Sequence, residues 1–117
     1  MQPARTPRVL QHALAPPRAA PWPEGHRPTA FQQAVIDAVR ALGWGELATY
    51  ADVAEEIGHP GSAQAVANVL RAAPRLPWWR VLPSGGRLYR THAPVQIPLL
   101  EAEGHLVDEH LRVRVNP

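Results

Sequence analysis

The sequence predicts a single, mainly α-helical domain with a small β wing, preceded by a proline-rich arm. Apolar residues recur at helical spacing in three successive segments from Thr29 onward. Helix-starting residues precede these segments, and glycine or proline follows each of them. A later apolar stretch around Pro-Ser-Gly-Gly indicates two short strands. With 117 residues, the chain suits one domain with one modest core.

The predicted arm covers residues 1–28. It contains seven of the fourteen prolines, and four arginines against one acidic residue. This composition favours a flexible or loosely packed segment, which either adds non-specific attraction to a polyanion or is inert. The folded domain is therefore placed at residues 29–117.

The first predicted helix begins behind Pro28, where Thr29 and Gln32 have the spacing of a capping box. Gly43 and Gly45 end it. Its apolar positions follow the i, i+3, i+4, i+7 rule and form one face: Phe31, Ala34, Val35, Ala38, Val39 and Leu42.

The next two helices have the arrangement of a helix-turn-helix motif. The shorter one starts near Thr49, has Asp52 three residues later, and ends at Gly58, a natural left-handed stop. After a turn, Ser62 is expected to cap a longer helix that ends before Pro74. The inward positions of this third helix are Val66, Val69, Leu70 and Ala73. A short helix, a glycine-containing turn and a longer helix are typical of the motif.

The last third of the sequence predicts the wing. The stretch RVLPSGGRLY at 80–89 favours a hairpin, and 98–103 favours one or two further helical turns closed by Gly104. The alternating LRVRV segment at 111–115 favours a final strand, with Leu111, Val113 and Val115 on one face. The predicted fold is therefore a winged helix-turn-helix.

The composition excludes several functions. The chain has no cysteine, so disulfides, thiol catalysis and cysteine-ligated zinc are excluded. The six histidines lack a compact metal-ligand spacing, and no cofactor is predicted. No run of about 18 apolar residues occurs, and prolines interrupt the start where a signal peptide would be apolar. The default expectation is a soluble cytoplasmic protein with no membrane contact, and a monomer, since nothing demands a dimer.

Charges are segregated along the chain. The net charge is only +2, but all twelve basic residues are arginines, and no acidic residue occurs between Ile57 and Leu100. Five arginines fall in this acid-free stretch: Arg71, Arg75, Arg80, Arg87 and Arg90. Because arginine favours planar, bidentate partners such as phosphate, we expect one positive face that binds nucleic acid. The alternative is that a GC-rich genome favours arginine codons over lysine codons, and that the arginines are clustered by chance.

The outward face of the third helix also favours DNA contact. Small residues there allow a backbone to approach a surface closely: Ser62, Ala63, Ala67 and Ala72. Gln64, Asn68 and Arg71 form a polar stripe at i, i+4 and i+7, and amides can hydrogen-bond to base edges. A solvated face with good helix formers is the alternative.

Five segments then occur in a familiar order: GELATY at 45–50, GHP at 58–60, AQAV at 63–66, PWWRV at 77–81 and LLEAEG at 99–104. They resemble the DNA-binding domain of the O6-alkylguanine-DNA alkyltransferases. That family shows Gly-Glu-x-x-Ser/Thr-Tyr, Gly-Asn-Pro, Ala-Arg-Ala-Val-Gly, Pro-Cys-His-Arg-Val and Leu-Leu-x-x-Glu-Gly. The reactive cysteine of the family falls on Trp78, and its histidine partner falls on Trp79. Residues 1–28 are too short for the transferases' other, N-terminal domain.

The sequence thus lacks the reactive Cys-His pair and the N-terminal domain of the transferases. In both respects it resembles the alkyltransferase-like proteins, which bind O6-alkylguanine in DNA without repairing it and pass the lesion to nucleotide excision repair. The resemblance implies a non-enzymatic sensor that flips the damaged nucleotide out of duplex DNA, with nucleotide excision repair proteins as further partners. It implies a lesion-base pocket that comprises Tyr50, Trp78, Trp79 and Arg90, flanked by a loop at 89–96. Tyr50 matches the tyrosine that presses on the phosphate of the flipped nucleotide. Glu103 matches the family's hydrogen-bonding glutamate, with no histidine left to activate.

The resemblance also implies a DNA-binding surface that enters the minor groove. Its expected contacts are Thr49, Tyr50, Ser62, Gln64, Ala65, Asn68, Arg71 and Arg80. Gln64 takes the position of the family's intercalating arginine, and is the expected finger that enters the base stack. Arg80 matches the arginine kept after the active-site pair, which the resemblance makes structural, although its charge also places it among the expected DNA contacts.

The residues of PWWRV support a sensor on chemical grounds. Accepting an alkyl group from carbon requires a thiolate, and indole is not a usable nucleophile at neutral pH. A flat indole instead offers stacking of about 1–3 kcal/mol per base. Two neighbouring tryptophans on a strand or loop must point in different directions, so at least one is expected to lie outside the core.

Two alternatives remain at this point. A winged-helix transcriptional regulator that binds undamaged DNA would share the fold and the basic face. An enzyme that uses Glu103 or a histidine as alkyl acceptor is the other, although a carboxylate ester would be labile.

Overall fold

The computed structural model describes residues 15–114; the ranges 1–14 and 115–117 lie outside it. Within this part of the chain, four α-helices are formed: α1 (Ala30–Arg40), α2 (Tyr50–Glu56), α3 (Ala63–Ala72) and α4 (Ala93–Ala102). Four short strands accompany them: β1 (Ala48–Thr49), β2 (Val81–Leu82), β3 (Leu106–Val107) and β4 (Val113–Arg114). The predicted fold class, mainly α with a small β wing, is confirmed. None of the helices between residues 15 and 114 has the length and apolar character of a membrane span.

The first two helices begin as predicted, because both capping boxes are formed. Thr29 Oγ1 accepts a hydrogen bond from Gln32 N, and Gln32 Oε1 accepts one from Thr29 N. Thr49 and Asp52 repeat this reciprocal pair at the start of α2. Ser62 precedes α3, but its ψ of 29° is not the extended conformation of a capping residue. Its hydroxyl makes no capping hydrogen bond to the described residues.

The core lies between α1, α2 and α3, which pack against one another. Its centre consists of β-branched side chains that are almost completely buried: Val35, Val39, Val53, Val66 and Val81. The four inward positions predicted for α3 are all buried. Ala67 was expected on the outward face, but it is only 8 % exposed. The outward face of α3 is therefore narrower than the sequence predicts, because Ala67 lies in a cleft that Pro16, Tyr50 and Trp78 also line.

The antiparallel wing lies further along the chain than predicted. β3 pairs with β4, with Leu106 opposite Arg114 and Val107 opposite Val113. The expected hairpin at 80–89 was wrong. Its first strand, β2, pairs in parallel with β1, and the Ser84–Gly86 segment forms a 3₁₀ turn. Both residues of β2 are buried. Pairing with β1 places them in the interior, which an exposed hairpin would not do.

The last helix is also longer than predicted. α4 begins at Ala93 rather than near Pro98, and Pro98 lies inside it. Pro94 is in the first turn, where a missing backbone N–H removes no helical hydrogen bond. After Gly104, Val113–Arg114 of the predicted last strand forms β4, and Arg112 makes an isolated antiparallel bridge to Arg87. Leu111 has a left-handed φ of 63°. Val115 lies outside the described residues.

The described part of the arm, residues 15–28, lies against the domain. Ala20 N donates to Arg71 O at 3.1 Å, and Trp22 N donates to Ala72 O at 3.2 Å. These carbonyls belong to the last turn of α3, where a helix leaves its acceptors without internal partners. Residues 20–22 therefore satisfy carbonyl groups at the end of α3, while residues 23–28 are exposed. The domain boundary between residues 28 and 29 stays a prediction.

Candidate functional site

The PWWRV segment forms a 3₁₀ turn, Trp78–Arg80, rather than a strand or loop. Trp78 is 3 % exposed and Trp79 is fully buried, so the expectation that one of them lies outside the core was wrong. Successive residues of a 3₁₀ turn point about 120° apart, which lets two neighbours reach different parts of the interior. Their rings are nearly perpendicular, at 86°, with centroids 6.3 Å apart.

Trp79 belongs to a buried hydrogen-bond network centred on Glu103. The indole Nε1 of Trp79 donates to Glu103 Oε2 at 2.6 Å, and Gly45 N donates to Glu103 Oε1 at 2.7 Å. Gly45 has a φ of 81°, a conformation that favours glycine. Gln96 Nε2 donates to the backbone oxygen of Trp79 at 3.1 Å. The network therefore ties the start of the GELATY segment, the PWWRV turn and α4 together.

Arg80 completes this network and is not available to DNA, which corrects its assignment as a DNA contact. Its Nε forms an ion pair with Glu103 Oε1 at 2.9 Å, and its Nη1 donates to Leu42 O at 2.8 Å. The guanidinium also lies 5.5 Å from the centre of the Trp79 ring. The Arg80 side chain is only 11 % exposed, so its charge is used inside the domain.

Trp78 faces an aromatic cleft beside the helix-turn-helix, which we call the base cleft. Its lining residues are Pro16, Tyr50, Ala67, Leu70, Arg71, Trp78, Tyr89 and His92. The rings of Tyr50 and Tyr89 are stacked with centroids 6.2 Å apart. The His92 ring makes edge-to-face contacts with the rings of Trp78 and Tyr89, with centroid separations of 5.6 Å and 5.4 Å. Such a wall presents flat apolar surface to a planar ligand.

The polar groups of the base cleft are largely neutral at pH 7. Burial, with a smaller contribution from Tyr89, raises the pKa of Tyr50 to about 12, although Arg71 opposes the shift. Burial and the positive charge of Arg71 lower the pKa of His92. Tyr50 thus keeps its hydroxyl proton, and His92 is held in its neutral form. Arg71 remains the charged residue of the cleft lining. This environment suits an uncharged aromatic ring better than an ion.

Pro16 is buried and also lines the base cleft. The cavity has a volume of about 10 Å³, which is close to the space of one water molecule. A nucleobase therefore fits only after lining residues have moved. Of these residues, Pro16 alone belongs to the arm.

The structure brings together only part of the predicted lesion pocket. Tyr50 and Trp78 line the base cleft, and Arg71 joins them from the expected DNA contacts. Trp79 lies on the other side of the turn in the Glu103 network. Arg90 lines a separate groove with Arg87 and Leu111. The PWWRV motif led to the prediction that both tryptophans line the pocket. The geometry of the 3₁₀ turn places Trp78 alone of the two in the base cleft.

Sequence reasoning located some cleft residues only as a segment. Tyr89 and His92 fall within the predicted flanking loop at 89–96, although residues 93–96 are already the first turn of α4. Pro16 was missed, because no local pattern indicates that a proline of the arm reaches Trp78. A long-range contact of this kind has no signal in a single sequence.

The outward face of α3 carries the predicted polar stripe. Gln64 and Asn68 are exposed, and Gln64 Nε2 donates to Asn68 Oδ1 at 3.1 Å. Ala65 and Arg71 are exposed on the same helix, and Ser62 is half-buried at its start. Thr49 is half-buried, with its hydroxyl accepting the capping hydrogen bond of α2. Four arginines of the acid-free stretch are exposed: Arg71, Arg75, Arg87 and Arg90.

Most of the folded chain matches a known protein family. The sequence profile described as "6-O-methylguanine DNA methyltransferase, DNA binding domain" matches residues 30–105. The chain belongs to this methyltransferase DNA-binding family. The matched range contains the helix-turn-helix, the PWWRV turn and Glu103. It also covers every described residue that lines the base cleft except Pro16.

Two relatives in the family differ in how much of their length the chain covers. A methylated-DNA–protein-cysteine methyltransferase of Mycobacterium leprae is 36 % identical over 84 residues, which are 68 % of this chain and 51 % of that protein. The chain thus spans about half the length of this relative. A DNA base-flipping protein of Vibrio parahaemolyticus is 32 % identical over 84 residues, which are 68 % of this chain and 84 % of that protein.

A solved structure extends the similarity to the fold. S. pombe Atl1, in complex with damaged DNA containing O6-carboxymethylguanine, superimposes with a TM-score of 0.65 at 26 % sequence identity. The match covers 78 % of this chain and 93 % of that one. Unlike the cysteine methyltransferases that it resembles, this family member has no cysteine.

Proposed function

We propose that this protein is a non-enzymatic sensor of O6-alkylguanine in duplex DNA. It flips the damaged nucleotide into the base cleft and marks the lesion for nucleotide excision repair. One observation carries the proposal: Trp78 stands at the position of the family's reactive cysteine, and its indole lines an aromatic cleft beside the helix-turn-helix. The site has the surface to hold a base and no thiol to react with it.

The magnitudes favour selection of damaged bases over intact ones. Flipping a nucleotide costs a few kcal/mol, and less when damage has already weakened its pairing. Stacking of a base on an aromatic side chain recovers about 1–3 kcal/mol. The two terms are similar in size, so an alkylated guanine can be retained where a well-paired guanine cannot. An alkyl group also adds apolar surface that the rings of Tyr50, Trp78 and Tyr89 can cover.

Arg71 is well placed to connect the groove-facing helix with the base cleft. It continues the stripe of Gln64 and Asn68 on α3, and it also lines the cleft. In the proposed complex, α3 enters the minor groove, and Arg71 meets a phosphate near the flipped nucleotide. Tyr50 lines the same cleft, and its neutral, buried hydroxyl is proposed to press on the same backbone. The exposed arginines of the acid-free stretch supply the electrostatic part of the affinity.

The link to excision repair follows from the same chemistry. A protein that binds the lesion without accepting its alkyl group leaves the DNA unrepaired, so other proteins must remove the nucleotide. Such proteins would bind surface of the domain that the DNA leaves exposed.

The sensor is expected to leave the lesion chemically unchanged. After long incubation with a duplex that contains O6-methylguanine, the protein mass should stay constant, because Trp78 and Trp79 are not nucleophiles at neutral pH. Mass spectrometry of the intact protein, with quantification of the lesion, checks this. A mass gain equal to one methyl group, together with lesion loss, would show an enzyme. A sequence-specific footprint on undamaged DNA would instead favour a transcriptional regulator.

Gln64 is proposed as the finger that fills the space of the flipped base. Its side chain is exposed and is held by Asn68 alone among the described residues. Gln64→Ala should weaken binding to alkylated duplex by about 1 kcal/mol, the scale of one net hydrogen bond. Gln64→Arg should strengthen binding to both intact and alkylated duplexes and steepen the salt dependence by about one unit, because the new charge meets phosphate. Fluorescence anisotropy over a salt series measures both effects.

Gln33 provides the matched control for these variants. It is an exposed glutamine on α1 that donates to Asp37 four residues later, as Gln64 does to Asn68. Gln33→Ala should leave binding to both duplexes unchanged. If Gln64→Ala behaves in the same way, Gln64 is not the finger, and Asn68 or Arg71 takes its place as the residue to test.

A further inference from the structure

The arm holds Pro16 in the base cleft by a defined set of contacts. Residues 16–22, which we call the strap, run along the end of α3, where Arg71 and Ala72 accept hydrogen bonds from Ala20 N and Trp22 N. A turn at residues 16–19 precedes these two donors, and Ala19 N donates to Pro16 O at 3.0 Å. Trp22 packs against the core and stacks on His26 at 4.3 Å. Pro16 is therefore the tip of an anchored segment.

The strap is nevertheless incompletely packed. Between it and the turn that follows α3 lies a largely apolar hollow of about 240 Å³, lined by Pro16, Pro21, Arg71, Leu76 and Trp78 among others. Because water can enter this space, the apolar atoms of the strap that face it are not fully removed from water, and the strap gains less from burial than it would in a filled interior. Arg18 within its turn also has a left-handed φ of 58°, which is unfavourable for a residue with a side chain. The segment is held, but not strongly.

The base cleft and the hollow meet at Pro16. Three residues line both spaces: Pro16, Arg71 and Trp78. Displacement of Pro16 would join a cavity of about 10 Å³ to one of about 240 Å³. The joined space approaches the lower end of the range in which proteins hold small planar ligands.

We propose that Pro16 is a specificity-determining residue, an internal competitor that occupies the place of the flipped base and sets how strongly a lesion is preferred. The proposal rests on the proposed function, since it assigns the same cleft to a base. A duplex that stays stacked binds α3 and the arginines without entering the cleft, so the strap does not affect it. A flipped base must displace Pro16, so the apparent affinity for the lesion equals the intrinsic affinity multiplied by the fraction of molecules in which the cleft is open. The strap thus lowers lesion binding selectively.

Substitution of Pro16 tests this in the full chain. Pro16→Ala removes two ring methylene groups, each equivalent to about a fourfold change in an equilibrium constant when buried. Affinity for a duplex with O6-methylguanine should rise by about three- to fifteenfold, while affinity for the matched guanine duplex stays the same. Trp22→Ala, which removes the anchor, should act in the same direction. Pro23→Ala is the matched control, because Pro23 is exposed, follows the strap, and does not line the cleft.

Every outcome of the comparison is decisive once thermal unfolding shows that each variant is folded. A lesion preference that is larger in Pro16→Ala and Trp22→Ala than in wild type and Pro23→Ala supports the strap as competitor. A preference present in wild type and unchanged in both variants overturns this proposal and leaves the sensor intact. Absence of preference in wild type and all variants overturns the sensor and the strap together. A preference seen only in the two strap variants supports both.

Discussion

Replacing Glu103 with glutamine is expected to lower the free energy of unfolding by about 3–5 kcal/mol, the cost of leaving a buried charge without its partner. The Glu103 side chain is only 1 % exposed and accepts hydrogen bonds from Trp79, Arg80 and Gly45. Glutamine keeps the shape, but it cannot neutralise the guanidinium of Arg80. Since a domain of this size has about 5–15 kcal/mol of stability in total, the loss should be plain in urea denaturation.

Glu101→Gln is the control for this prediction. Glu101 lies two residues earlier at the end of α4 and is exposed, so its replacement should change stability by less than about 0.5 kcal/mol. The double variant Arg80→Leu/Glu103→Leu should be less unstable than the sum of its single variants, because it leaves no unpaired charge. An unfolding free energy of Glu103→Gln within error of wild type would show that the network does not hold the PWWRV turn.

Replacing Trp78 with alanine should have two separate effects. The indole is buried, so the free energy of unfolding should fall by about 3–5 kcal/mol through lost contacts and a new cavity. The preference for O6-methylguanine over guanine should also disappear, because the stacking of about 1–3 kcal/mol per base is lost. Binding to intact duplex should change little at a temperature where the variant is folded. Thermal unfolding and titration of both duplexes measure the two effects.

Trp79→Phe separates a loss of stability from a loss of recognition. Trp79 is the neighbouring tryptophan and is fully buried, but it lies outside the base cleft and bonds Glu103. Its replacement should destabilise the domain and keep the lesion preference. Trp78→Phe retains a flat ring and should keep part of the preference. If Trp79→Phe abolishes the preference as fully as Trp78→Ala does, the cleft beside Trp78 is not the base site.

The local rules of the sequence located the first three helices well, but not the start of α4. The capping pairs at Thr29 and Thr49 fix where α1 and α2 begin, since each is a short-range hydrogen-bond pattern. The buried positions of α3 follow from helical periodicity. What failed depends on long-range contact. β2 pairs with a strand more than thirty residues earlier, so its turn residues misleadingly indicate a hairpin.

The candidate site divides in the same way. The PWWRV motif identifies the tryptophan at the family's cysteine position, and the flanking segment contains Tyr89 and His92. The 3₁₀ turn determines which indole faces the cleft. Arg80 is directed into the domain by its ion pair with Glu103, more than twenty residues later. The resemblance implies a structural role for Arg80, but a single sequence does not show which carboxylate pairs with it. The folded chain identifies that partner as Glu103.

Equilibrium binding of matched duplexes tests directly whether the protein recognises O6-alkylguanine. One duplex carries O6-methylguanine and the other guanine at the same position, and each is titrated over a series of salt concentrations. Three or four phosphates neutralised by the exposed arginines should give a slope of log affinity against log salt of about −3 to −4 for both duplexes. The lesion should bind more tightly by a factor that salt leaves nearly constant, because stacking in the cleft is not electrostatic. Equal affinity for the two duplexes at every salt concentration would contradict the account and leave a generic DNA-binding domain.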